Sequence, residues 1–128
     1  MRLLLDAHSL IWAVDQPSSL GPNAKTVLED LANNLMLSAA TIWEIAIKVG
    51  LKKLTFSLPY RQWMTQAMND LEVTTLPVTV EYADVQAELP RHHRDPFDQL
   101  LVAQAIVENV QLVSNDPIFD QYGVTRLW

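Results

Sequence analysis

The chain has 128 residues, 9 of them Lys or Arg and 15 Asp or Glu, for a formal net charge of −6. Hydrophobic residues make up 49% and charged residues 19%, which excludes disorder and supplies one core for a domain of this length. Cysteine is absent, so disulfide scaffolds, thiolate metal sites and cysteine nucleophiles are excluded, and the acidic balance argues against a bulk electrostatic grip on nucleic acid.

Gly21, Gly50 and Gly123 lie too far apart for a glycine-rich phosphate loop. No apolar run approaches the ~20 residues of a membrane span. The first six residues are too short for a signal peptide, so a soluble, cytoplasmic domain over residues 1–128 is expected.

Leu3, Leu4 and Leu5 form an uninterrupted apolar run that suits a strand buried on both faces. A short helix is expected over residues 8–14, then a turn at Asp15, Gln16 and Pro17. Pro22 opens a helix to about residue 32, with Val27, Leu28 and Leu31 on one face and Asn33-Asn34 as its breaker. Residues 35–37 read as a second buried strand. The spacing of Ile42, Ile45, Ala46 and Val49 predicts a helix over 41–49, stopped by Gly50. A helix over 61–70 follows Pro59 and Tyr60. Residues 73–76 read as a strand, and 80–89 as a helix with Tyr82, Ala83 and Val85 inward. Residues 90–94 form a basic loop. Asp95 and Pro96 have the N-cap and first-position chemistry of a helix running to about 107. Residues 111–113 are a fourth strand, Asp116-Pro117 starts a short turn of helix, and 124–127 are a last strand. Strands alternating with helices predict βαβ units: an α/β three-layer sandwich, with a parallel sheet of about five strands between helices.

In such sheets, sites form at the carboxyl ends of the strands. Asp6 ends the first strand and Asp116 lies just past the fourth. Glu44 lies one turn into the helix after the second strand, and Asp95 and Asp98 open the helix leading to the fourth. Each acid also has a structural reading. Thr41 and Glu44 fit a capping box, Asp95 and Asp116 precede proline as N-caps do, and Asp98 suits a helix's first turn. Asp6 fits a cap least well, because it follows a buried strand. Clustered carboxylates repel, and one protonates unless a cation sits between them. Mg²⁺ and Mn²⁺ are hard ions that take carboxylate, water and phosphate oxygens, so a metal-assisted phosphodiester hydrolysis is the expected chemistry.

Four segments carry a family resemblance: Leu-Leu-Leu-Asp-Ala-His (3–8), Ser-Ala-Ala-Thr-Ile-Trp-Glu-Ile-Ala-Ile-Lys (38–48), Leu-Pro-Arg-His-His-Arg-Asp-Pro-Phe-Asp-Gln-Leu-Leu-Val-Ala-Gln-Ala (89–105) and Leu-Val-Ser-Asn-Asp (112–116). They resemble the PIN-domain ribonucleases and, more narrowly, the VapC-type toxins of type II toxin–antitoxin systems. The resemblance spans the chain in order, and the third segment is its most specific part. It implies an endoribonuclease dependent on Mg²⁺ or Mn²⁺, with the family acids at Asp6, Glu44, Asp98 and Asp116. Asp95 matches an additional acid of this branch. Asp6, Asp98 and Asp116 would serve the metal, directly or through water, and Glu44 would be a ligand or the base that orients water. The implied products carry a 5′-phosphate and a 3′-hydroxyl. The resemblance also implies a homodimer and an antitoxin that blocks the acidic cleft. Many members carry a hydroxyl residue after the first acid, where this chain has Ala7.

Phosphate contacts in an acidic protein fall to local basic sets: Lys48, Lys52 and Lys53, then Arg91, His92, His93 and Arg94. With His8 alone to join His92 and His93, and no cysteine, a zinc site is not supported. Ser38 and Ser114 have turn hydrogen bonding as their simplest role. The four tryptophans suit a core or an interface. Phe56, Leu58, Trp63, Met64 and Met68 make an apolar stripe, either an antitoxin groove or a core-facing helix. Two rival functions remain: a non-catalytic module binding RNA or protein, and a Mg²⁺-dependent phosphatase with Asp6 as nucleophile. The phosphatase resembles haloacid-dehalogenase enzymes, which place a second Asp where this chain has His8.

Overall fold

A computed structural model describes residues 1–92 and 94–128. Five strands form one sheet: β1 (Arg2–Leu5), β2 (Asn34–Ser38), β3 (Thr74–Leu76), β4 (Gln111–Val113) and β5 (Arg126–Leu127). All pairings are parallel, in the order β3-β2-β1-β4-β5. The helices are α1 (Ala7–Asp15), α2 (Pro22–Glu29), α3 (Ala39–Gly50), α4 (Tyr60–Asp70), α5 (Val80–Glu88) and α6 (Pro96–Glu108). Short 3₁₀ turns cover Pro17–Ser19 and Pro117–Tyr122.

The apolar runs follow the two-face rule for parallel sheets. Leu3, Leu5, Leu35, Leu37 and Val113 pack on one face with Leu10 of α1, Ile45 of α3 and Trp63 of α4. Leu4, Met36 and Leu112 point to the other face, against Leu101, Val102 and Ala105 of α6 and Phe119. Burying each such leucine contributes about 1.5–3 kcal/mol. The expected α/β sandwich is therefore the observed architecture.

Local chemistry shifts several boundaries. α2 ends at Glu29, not near residue 32, and Leu31 is 97% exposed instead of facing inward. Asp30 Oδ1 accepts the Ala32 N–H at 2.9 Å, and the Asn33 N–H donates to the Asp30 carbonyl at 3.0 Å. That local turn competes with another helical turn. α3 starts at Ala39 instead of Thr41, because Ser38 is its N-cap, with Oγ accepting the Ala40 N–H. The capping box of Thr41 and Glu44 does not form, and both side chains are buried within the helix. Ala83 is exposed, while Tyr82 is buried. β5 is limited to Arg126–Leu127.

The apolar stripe near α4 faces the core, with Trp63 and Met64 buried. Phe56 stacks on Trp63 at 3.9 Å, and the Trp63 indole N–H donates to Asp15 Oδ2 at 3.0 Å. Leu58 alone of that stripe is exposed, so the stripe is not an open groove. Trp12 packs against Trp128, whereas Trp43 is 64% exposed with its ring edge toward Phe97. No helix among the described residues is long and apolar enough to cross a membrane.

Candidate active site

From β1 the chain crosses to β2 and β3 on one side, then returns to place β4 on the other side of β1. The reversal makes a switch point beyond the carboxyl ends of β1 and β4, where open α/β sheets bind ligands. Asp6 follows β1 and Asp116 lies just past β4. The Asp6 N–H donates to the Val113 carbonyl at 3.2 Å, and Ser9 Oγ donates to the same carbonyl at 2.8 Å. These two bonds lock the start of α1 to the end of β4.

A cavity of about 330 Å³ opens at this point. Five carboxylates line it: Asp6, Glu44, Asp95, Asp98 and Asp116, with Ala7, His8, Lys48, Asn115 and Phe119. All five acids singled out in the sequence thus meet in one cleft. A larger depression of about 570 Å³ runs along α4, but it is lined by Arg61, Gln62, Gln66 and similar side chains with Asp70 its one acid.

Three of the five acids also cap helices. Asp6 Oδ1 accepts the Ser9 N–H at 2.9 Å, Asp95 Oδ1 the Phe97 N–H at 2.9 Å, and Asp116 Oδ1 the Ile118 N–H at 3.0 Å. Asp6, which the sequence made the poorest cap, is one of them. Each cap bond occupies a single carboxylate oxygen, so capping and membership of the cleft coexist. Ser114 Oγ accepts the Asp116 N–H at 3.1 Å, so Ser38 and Ser114 both perform the turn bonding expected of them.

Asp98 shows the electrostatic cost of this arrangement. Burial, then the charges of Asp95, Glu44, Asp6 and Asp116, push its carboxyl from 3.8 up to about 8. Glu44 is 4% exposed and has one cation beside it: Lys48 Nζ lies 2.8 Å from Glu44 Oε2. Sequence reading placed Lys48 with Lys52 and Lys53 in a basic set for phosphate contacts. The fold sets it inside the cleft, and the Glu-to-Lys spacing of four within one helix is the signal that could have found it.

Lys52, Lys53, Arg91 and Arg94 do not line the cavity. They are exposed, and Arg91 donates to Gln99 Oε1 at 3.2 Å. His8 packs on Trp12, and His92 has its ring edge toward Tyr122. His93 lies outside the described residues. Among the described residues, no group of three or more His, Asp or Glu side chains is drawn together tightly enough to hold a metal ion. The donor chemistry still fits a hard divalent cation. The oxygens are carboxylate, burial and the neighbouring acids push Asp98 up to about 8, and Mg²⁺ commonly binds through one or two carboxylates while keeping several waters.

A PIN domain profile matches residues 3–124. The fold is similar to that of VapBC2 from Rickettsia felis, solved with a DNA fragment from its promoter (TM-score 0.72, 18% identity, 98% of this chain and 97% of that one). It is also similar to VapBC-1 from nontypeable Haemophilus influenzae (0.64, 17%, 98% and 96%) and to FitAcB from Neisseria gonorrhoeae (0.61, 20%, 97% and 95%). No curated protein matches the chain.

Proposed function

We propose, from the premise that this chain belongs to the PIN domain family, that it is a divalent-metal-dependent endoribonuclease acting as the toxin of a toxin–antitoxin pair. One observation carries the reading: separate chain segments deliver five carboxylates to the switch point, at the expense of raising the Asp98 pKa to about 8. A protein gains nothing in stability from that crowding, which marks the site as functional.

Asp6, Asp98 and Asp116 would hold Mg²⁺ or Mn²⁺, directly or through water, with Asp95 auxiliary. Such an ion stabilises negative charge developing on a phosphate and makes water more acidic. The chain's own groups do the rest. Lys48 holds Glu44 through Oε2 in the metal-free cleft, and the Glu44 carboxylate would orient the attacking water and accept its proton. In-line attack on a phosphodiester then leaves a 5′-phosphate and a 3′-hydroxyl. Lys48, Lys52, Arg91 and Arg94 would supply the phosphate contacts, each worth more at low salt. The Asp6 N–H bond to the Val113 carbonyl and the Asp116 N–H bond to Ser114 Oγ fix the backbone beneath these two acids, so drawing the acids onto an ion is left to their side chains.

An antitoxin partner and a homodimer belong to the same reading. The similar folds come from structures whose names describe two-component VapBC and FitAB assemblies. An acidic cleft of this kind is closed most simply by a basic side chain of an inhibitor.

The deciding experiment is cleavage of total RNA by purified, antitoxin-free protein, with Mg²⁺ or Mn²⁺ against EDTA, beside Asp6→Asn. Discrete fragments that vanish with EDTA and with the substitution establish the ribonuclease. The caps at Asp6, Asp95 and Asp116 favour one rival, a binding module whose acids are structural. Absence of both cleavage and metal binding would establish that rival instead.

A further inference from the structure

We propose that Lys48 is a built-in counter-cation: a positioning residue that holds Glu44 while the cleft is metal-free and gives way when a divalent cation binds, its ammonium then meeting a phosphate of the substrate. The metal-linked part stands on the geometry alone, and only the final phosphate contact rests on the ribonuclease reading above.

Glu44 is nearly sealed from solvent, and a buried carboxylate without a partner is strongly unfavourable. Its partner is Lys48, one turn along the same helix, at 2.8 Å. Most of the Lys48 side chain is buried too, yet its outer part reaches the cavity wall. Burial disfavours the Lys48 ammonium, but the bond and charge of Glu44, with Asp95 and Asp98, keep its pKa above the ordinary 10.5. Its charge therefore serves the whole acid set and not Glu44 alone. A lysine on a four-carbon stem can swing, whereas the capped carboxylates cannot.

Two positive charges cannot share this space without cost. A unit charge about 4 Å from a divalent ion weakens binding on the order of thirtyfold even at the dielectric of bulk water, and salt and movement of the flexible side chain reduce this to about tenfold. Lys48 thus sets how much metal the site requires, and it carries charge of the sign an RNA phosphate needs in an otherwise acidic cleft.

The test is a calorimetric titration with Mn²⁺ alone on the full chain, comparing wild type, Lys48→Gln and Lys48→Arg. Lys48→Gln should bind Mn²⁺ about tenfold tighter than wild type, and Lys48→Arg, which keeps the charge, about equally. At saturating Mn²⁺, Lys48→Gln should cleave RNA with a raised KM. If Lys48→Gln is unfolded without metal but folds when Mn²⁺ is added, the inference stands, because the ion then does what the ammonium did. An unchanged or weaker Mn²⁺ affinity in folded Lys48→Gln overturns it. A measurement on wild type stands independently of any variant. Saturating Mg²⁺ should shift the Lys48 Cε–Hε resonances in the NMR spectrum, and unmoved resonances overturn the inference. Tighter Mn²⁺ binding with no cleavage by either protein would sink the ribonuclease reading and leave the counter-cation intact. Cleavage by wild type with an unchanged Mn²⁺ affinity in the variant would do the reverse.

Discussion

Replacing Asp98 by Asn should stabilise the metal-free protein while removing its activity. Asp98 is half-buried and faces four other carboxylates, and burial together with those charges pushes its folded pKa up to about 8 from the ordinary 3.8. The sign follows from proton linkage. Between these two values the folded state binds the proton more tightly than the unfolded state, so stability falls as pH rises from about 4 to about 8. At pH 7 the chain is about three units above the unfolded value, and at about 1.4 kcal/mol per unit the destabilisation has a ceiling of about 4 kcal/mol. An asparagine amide carries its own burial cost, and the cleft relaxes around a charge, so a gain of about 1.5–3 kcal/mol is expected. With an unfolding entropy of about 2.1 cal/mol/K per residue, a gain of that size raises Tm by about 5–10 °C. The assay is thermal unfolding followed by circular dichroism in EDTA at pH 4, 5, 6, 7 and 8. The Tm difference should be near zero at pH 4, grow with pH and level off near pH 8. Added Mg²⁺ should shrink it, because the wild type then has its charge balanced. A Tm difference that is flat with pH, or negative at pH 8, would refute the electrostatic account.

Asp6→Asn should lose RNA cleavage by at least about a hundredfold with Tm changed by no more than about 3 °C, since Asn caps a helix as well as Asp does. Single-turnover cleavage and thermal unfolding on one preparation check both halves. Leu101→Ala removes a side chain fully enclosed between the sheet and α6, and should cost about 2–5 kcal/mol in urea unfolding. At Gly21 an added methyl would sit 2.6 Å from the Trp128 carbonyl carbon and the same distance from its ring. Gly21→Ala should therefore cost about 1–3 kcal/mol and weaken the packing of Trp128 on Trp12, seen as a red shift in tryptophan emission.

The layers of the fold were legible because buried parallel strands carry an unmistakable pattern. Leu3 to Leu5 is apolar on both faces, and only a strand covered on both sides tolerates that. Strand order was not legible, since a parallel pairing leaves no local trace of its neighbour. The switch point beside β1 therefore came only with the structure. Helix starts were misplaced where two residues competed for one cap. Ser38 and Thr41 both suit the role, and the burial of Thr41 settles it in favour of Ser38. The α2 terminus was missed because Leu31 continues the helical spacing, while the decisive Asp30 turn depends on a single side-chain bond. All five acids were visible in the sequence, Asp6 and Asp116 at strand ends and Glu44, Asp95 and Asp98 near the starts of helices. Lys48 was read as a phosphate contact and not as the partner of Glu44, because the capping box offered Glu44 a different local role, one that does not form.

The caps explain how the chain keeps such a site without unfolding. A helix N-terminus presents N–H groups and the positive end of its dipole, so a carboxylate placed there is stabilised before any metal arrives. Asp6, Asp95 and Asp116 each draw on this, and each has one oxygen committed to its own helix. Glu44 sits too far into α3 for such help and has Lys48 in its place. Asp98 lies in the first turn of α6, and burial with the charges of the other four acids pushes it up to about 8. A divalent cation held by Asp98 would convert a protonated carboxyl into a charged ligand and release a proton. Metal uptake should therefore be stronger at pH 8 than at pH 6, and a proton should appear in solution when Mg²⁺ binds near pH 7. Calorimetric titrations in two buffers of different ionisation enthalpy measure that proton directly, and identical heats in both would show that Asp98 does not take part in holding the ion.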